Sequence, residues 1–190
     1  MKSASLFALF VLAFGSACLS TEGPAYAERT SVPQLAGSAL TLRLIDARPA
    51  IDSEEVSITA FTMPHQEQEL ALPPDPALEA TLREALAREL VPAPRSLHLE
   101  VTLRSAFARW DAGWLTETEH ARTELGITVR DENDRVLASG TTDSWASRSS
   151  LDTSETAMRR IFDRVLRDAL FRFLASAEGA PLRAAEDRGP

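Results

Sequence analysis

The chain has 190 residues, of which 44% are hydrophobic and 25% charged, and its formal net charge is −8. The length suits one domain and the composition suits an ordinary globular fold. The acidic balance argues against nucleic acid, whose phosphates need a basic surface, and against electrostatic attachment to anionic lipid.

At the start, Lys2 supplies a positive n-region and residues 6–14, LFALFVLAF, form an uncharged apolar run. That run falls well short of the ~20 residues a membrane-spanning helix needs. It reads as the h-region of a signal peptide. Two cleavage signals follow it. Gly15-Ser16-Ala17-Cys18 resembles the site at which a lipoprotein precursor is cut before its cysteine, although Gly15 stands where leucine is usual. Ala25-Tyr26-Ala27 has the small-x-small form used by secreted proteins. Cutting after Ala27 would require a long c-region containing Glu22 and the turn-forming Gly23-Pro24 pair. Cys18 is the sole cysteine, so an exported chain has no internal disulfide to make with it. Acylation would also remove a free thiol from an oxidising compartment. The expectation is a signal peptide at 1–17 and lipidation of Cys18, with cleavage after Ala27 into a soluble secreted chain as the alternative. Losing Lys2, the only charge before Cys18, takes the formal charge from −8 to −9.

Residues 18–37 are rich in Ser, Thr, Gly, Pro and Ala and read as a lipidated N-terminus and flexible tether. A single folded domain is expected over 38–176. Leu40, Leu42 and Leu44 alternate with Thr41, Arg43 and Ile45, a strand ended near Pro49. Residues 56–63, VSITAFTM, have β-branched and aromatic strand composition, and 68–72 supply a short third piece. A helix follows, with Asp75 as N-cap and Pro76 at its first position. Its apolar stripe is Leu78, Leu82, Ala85, Leu86 and Leu90, and Pro92 and Pro94 close it.

The clearest strand pattern comes next. Leu97, Leu99, Val101, Leu103 and Phe107 share one face, and His98, Glu100, Thr102 and Arg104 the other. After a turn at Asp111-Ala112-Gly113, Ala121, Thr123, Leu125, Ile127 and Val129 alternate with His120, Arg122, Glu124 and Thr128. The polar tip DENDR leads to a third strand over 136–145. Trp110 and Trp114 flank the first turn at even positions, so unbroken alternation sends both to the polar face, where they form an aromatic clasp or a partner contact. One extra residue in either strand would reverse that.

The last element is a helix over 153–175, capped by Asp152 or Thr153. Met158, Ile161, Phe162, Val165, Leu166, Ala169, Leu170 and Phe173 form one broad stripe that needs a sheet beneath it. Pairs such as Arg164–Asp168 and Asp168–Arg172 are expected on a solvated face. Phe171 falls about 190° from the stripe's centre, which makes it a partly exposed aromatic or a second partner contact. Residues 177–190 lose periodicity and read as a disordered tail.

The order β-β-(β)-α-β-β-β-α, with alternating antiparallel strands, predicts an α+β two-layer sandwich with both helices on one face of a mostly antiparallel sheet. The combination of lipobox, LRLIDARP strand end, DPALEATLREALAREL helix, HLEVTLRS strand, VRDENDRVLASG hairpin and closing amphipathic helix resembles the YajG family of Gram-negative lipoproteins. Asp46 and Arg48 match that family's Asp-x-Arg-like motif. The three tryptophans, the C-terminal tail and Gly15 depart from its pattern. The resemblance implies a periplasm-facing domain anchored to the outer membrane and no catalytic activity. Leu19, rather than Asp, after Cys18 fits transit to the outer membrane.

Motifs for chemistry are sparse. His65, His98 and His120 lie in no HExxH-like spacing. His98, His120 and Glu100 would make a metal site only if the hairpin opposed the two histidines. No phosphate loop, dinucleotide turn or G-x-S-x-G elbow is present. Asp46 and Arg48 are expected to pair with each other at a strand end. The expectation is therefore a non-enzymatic lipoprotein, without cofactor or metal, that binds or supports another envelope component. The alternatives are an auxiliary lipoprotein of an ABC-type transport or secretion assembly and, last, a hydrolase.

Overall fold

Period-two alternation builds the sheet of this protein, and period-3.6 alternation supplies the helices that cover it. The computed structural model describes residues 21–22, 32–48, 67–70, 74–112, 117–150 and 154–184. In chain order the elements are β1 (Thr21–Glu22), β2 (Leu35–Ala36), β3 (Ala39–Asp46), β4 (Glu67–Leu70), α1 (Leu78–Arg88), β5 (Leu90–Val91), β6 (Ser96–Ala112), β7 (Glu117–Arg130), β8 (Val136–Ser150) and α2 (Glu155–Ala175). A short 3-10 helix, Ala180–Leu182, follows. The strands β1, β8, β7, β6 and β3 lie side by side in that order, and β4 also pairs with β6. The fold is α+β, with a mixed, mostly antiparallel sheet, as the alternation predicts. The 56–63 stretch lies outside the described residues.

β6 is long enough to serve two neighbours on one edge. Its first half pairs in parallel with β3, Leu42 opposite Leu99 and Leu44 opposite Val101. Its second half pairs antiparallel with β4, Leu70 opposite Ala108. Parallel neighbours need a crossover connection, and α1, which packs on β3, lies within this one. Leu78, Leu82 and Leu86 of α1 join Leu97, Leu99, Val101 and Leu103 of β6 and the stripe of α2 in one core. All eight expected stripe residues of α2 are buried.

Between those two halves the β6–β7 register shifts. Leu103 faces Leu125 and Ser105 faces Glu124, which leaves Arg104 as an extra residue. Up to Leu103 the odd positions are buried, and past the bulge Ala106 and Ala108 are buried instead. The odd-position face expected to run through to Phe107 therefore ends at Leu103. Arg104 lies over Gly126 on the open face, where a Cβ would stand 2.6 Å from its Nε. Its Nη1 donates to Thr141 Oγ1 at 3.2 Å. The β7–β8 turn is held by Asp131, whose Oδ1 accepts from the backbone N–H groups of Asn133 and Arg135, both at 2.9 Å.

The caps differ slightly from expectation. Asp75 Oδ1 accepts from the Ala77 N–H at 2.8 Å, but the α-helical run begins only at Leu78. Ser154, rather than Asp152 or Thr153, caps α2, its Oγ accepting from the Ala157 N–H at 3.2 Å.

Both ends of the folded body extend past the limits of 38 and 176. β2 pairs in parallel with β5, Leu35 opposite Leu90, and Leu35 is fully buried. Within the expected tail, Leu182 is also fully buried, and Leu35 bridges to Arg183. Gly179 is packed so closely that a Cβ there would lie 2.4 Å from the Phe173 carbonyl oxygen. The sequence hides these segments because each contributes one buried leucine and no period. Leu182→Ala should cost about 2–5 kcal/mol of unfolding free energy, the range for a buried leucine. Gly179→Ala should also lower the denaturant midpoint, and a chain ending at residue 176 should be less stable than either variant.

Candidate functional site

The residues singled out from the sequence do not gather in one place. Cys18, His65 and Trp114 lie outside the described residues. Trp110 occupies a backbone position in β6 opposite Glu119, and its side chain lies outside the described residues. The parity argument that sent it to the polar face fails at the Arg104 bulge. Phe171 is half-buried and packs against the core. His98 and His120 are not opposed, since the register pairs His98 with Arg130 and His120 with Arg109. His98 Nδ1 instead lies 2.7 Å from Thr41 Oγ1.

Asp46 and Arg48 do come together. Arg48 Nε and Nη2 donate to the two carboxylate oxygens of Asp46 at 2.9 and 2.6 Å, a bidentate pair two residues apart. The Arg48 backbone N–H also donates to Asp46 Oδ1 at 3.2 Å. The guanidinium sits over the Phe162 ring, 5.6 Å from its centroid, which ties the end of β3 to α2. The Arg48 hydrogen bonds hold the Asp46 carboxyl below its ordinary 3.8. Nearby on α2, half-buried Asp163 accepts weakly from the Asp75 N–H at 3.5 Å, and burial raises its carboxyl above 3.8.

A polar cluster that alternation alone did not reveal lies between α2 and the sheet. Ser144 of β8 donates its hydroxyl to Asp168 Oδ2 at 2.5 Å, and both residues are buried. Arg172 Nε lies 2.8 Å from the same oxygen. Asp168 was expected on the solvated face, and the Ser144 hydroxyl beneath α2 lets it be buried. Glu119, fully buried, pairs with Arg148 at 2.8 Å, and buried Thr123 donates to the Ser105 carbonyl at 3.3 Å. Glu119 was legible in part, because it shares the odd parity of Ala121 and Thr123. Asp168 and Ser144 were not, because no local spacing joins a strand position to a helix position far along the chain.

This cluster is structural in its chemistry. Asp168 receives a hydroxyl proton and faces a guanidinium, so its charge is offset where it stands. Ser144 is only 1% exposed, which leaves its oxygen out of reach of a substrate. The accessible features are on the opposite face. Val136 and Trp145, 47% and 49% exposed, are the exposed large hydrophobics among the described residues, and both lie on β8. Trp145 stands opposite Arg122, whose Nη2 is 3.9 Å from Asp143.

No family model and no curated protein matches the chain. Among solved structures, it is similar to a minor lipoprotein from Acinetobacter baumannii, with 16% identity and a TM-score of 0.38 over 80% of this chain and 98% of that one. It is also similar to a putative neuraminyllactose-binding hemagglutinin homolog from Helicobacter pylori, with 9% identity and a TM-score of 0.35 over 78% of this chain and 92% of that one. At such scores neither likeness bears on what this chain does.

Two measurements test the polar contacts. Asp168→Ala removes the acceptor of the Ser144 hydroxyl and the ion-pair partner of Arg172 and should cost about 3–5 kcal/mol, whereas Ser144→Ala should cost about 1–3 kcal/mol. Denaturant titrations of both variants check this. The two carboxylates with shifted pKa values should show opposite pH dependence. The stabilisation from Asp46 is complete above 3.8 and lost as pH falls below that value, so Asp46→Asn should lose its penalty in acid. Folding weakens as pH rises from 3.8 through the raised value of Asp163, so Asp163→Asn should be neutral or stabilising near pH ~7 and show no gain near pH ~3.

Proposed function

We propose that this protein is a non-catalytic lipoprotein of the bacterial envelope, cut before Cys18, acylated there and held on the periplasmic side of the outer membrane. The observation that carries the reading is the pairing of Thr21 with Arg148 and of Glu22 with Ser147. Cleavage after Ala27 would discard both residues and remove β1 from the sheet. Cleavage before Cys18 keeps them. The lipobox and the sole cysteine point the same way. The domain's task in this reading is to bind or support another envelope component. An auxiliary role in an ABC-type transport or secretion assembly is the second reading, since it uses the same anchored α+β plan.

Intact mass of the mature protein is the deciding measurement. The expected product begins at Cys18, carries acyl chains, and loses its incorporated labelled fatty acid in Cys18→Ala. A mature N-terminus at Glu28 would overturn the proposal. Recovery of a defined transport complex from detergent-solubilised envelope would favour the second reading over the first.

A further inference from the structure

We propose that the end of the sheet where β1 pairs with β8 lies against the bilayer surface, so that the domain stands on the membrane rather than hanging from a long leash. The inference rests on acylation of Cys18. Only Leu19 and Ser20 separate that residue from Thr21, which is already paired to Arg148. Three Cα–Cα steps reach at most about 11 Å. A free linker spanning 18–37 would instead have given an end-to-end distance of about 25 Å. The headgroup layer on each side of the hydrocarbon is itself about 5–8 Å thick. An acylated Cys18 at that depth leaves Thr21 at the headgroups or just above them.

The direction of β1 chooses which part of the domain is brought there. β1 runs antiparallel to β8, so the chain enters it from beyond the Ser149–Ser150 end of β8. An anchor three residues before Thr21 is therefore within about 11 Å of that end of the strands. Ser147, Ser149 and Thr118 stand there beside Glu22, Asp111 and Glu117, and Arg148 pairs with Glu119, so the short reach from the anchor, not the charge of this end, brings it to the surface. The register also places Trp110 at this end, opposite Glu119. The other end of β8 is about 45 Å away at the rise of an antiparallel strand. It carries the turn with Asp131, Glu132 and Asp134 between Arg130 and Arg135, and its distance from the anchor keeps it off the surface.

The full-length acylated protein allows a direct test, because acylation consumes its single native thiol. Ser149→Cys and Asn133→Cys each add one thiol for a fluorophore. Each labelled protein is reconstituted into phosphatidylethanolamine–phosphatidylglycerol vesicles containing a headgroup-nitroxide lipid. Quenching at position 149 should exceed that at 133 several-fold, and Ser147→Cys gives a second position at the same end should Ser149→Cys perturb folding. Inserting about ten Gly-Ser residues between Ser20 and Thr21 should bring the signal at 149 down towards that at 133. Equal quenching at 149 and 133, or a signal at 149 that ignores the insertion, would overturn the standing geometry. The mass of the same sample separates the two ideas. An unacylated chain overturns the lipoprotein reading and this inference together, whereas an acylated chain with weak quenching at 149 overturns the geometry alone.

Discussion

One extra residue in β6 governs what the rest of the sheet can do. Without the bulge at Arg104, alternation would carry Ser105 inward and Ala106 outward, and β6 would present a different face to α2. With it, Ala106 and Ala108 turn inward opposite Thr123 and Ala121, and Ala146 lies on the same inner face. Small side chains there keep the floor beneath α2 shallow. The bulge also falls where β6 passes from its parallel neighbour β3 to its antiparallel neighbour β4. A bulged strand bends and twists more strongly, which helps one strand serve two partners of opposite direction.

The buried polar pairs then protect that arrangement. A slip of β8 by one residue would carry Ser144 to the open face and leave Asp168 with Arg172 alone. The same slip would take Arg148 away from fully buried Glu119. An uncompensated buried charge costs several kcal/mol, so these contacts penalise the wrong register more than they reward the right one. Apolar packing among alanines and leucines would discriminate less sharply. Arg48, lying over Phe162 while it grips Asp46, works in a related way at the other edge, where it fixes the end of β3 against α2.

Much of the architecture was legible because long strands and helices announce their periods. The faces of β7 and α2 and the α+β class follow from alternation alone. The pairing of Asp46 with Arg48 was legible too, since two residues of opposite charge at a strand end have few other partners. What alternation could not supply were single events without a period. The bulge at Arg104 is one, the lone buried leucines at 35 and 182 are others, and the meeting of Ser144 with Asp168 is a fourth. Each depends on segments distant in the chain. Of the sequence-named contacts, Phe171 is half-buried, while the side chains of Trp110 and Trp114 lie outside the described residues.

One closing contact of the folded body joins the segment entering β2 to the one that follows the 3-10 helix. The Ala184 N–H donates to the Gln34 carbonyl at 2.9 Å, beside the Leu35–Arg183 bridge. Segments that are neighbours can be joined by a short linker, and the chain reopened elsewhere, without disturbing the packing between them, here in a body that starts at Gln34 and so omits β1. The turn between β7 and β8 is the natural place to open it, because its residues 132–136 are exposed and its strands are held along their whole length by other contacts. A circular permutant opened there would begin with β8 and end with β7. Its central sheet would then be assembled from the two extremities of the chain, turning a local hairpin into the longest-range pairing in the molecule and slowing folding while leaving the folded contacts in place.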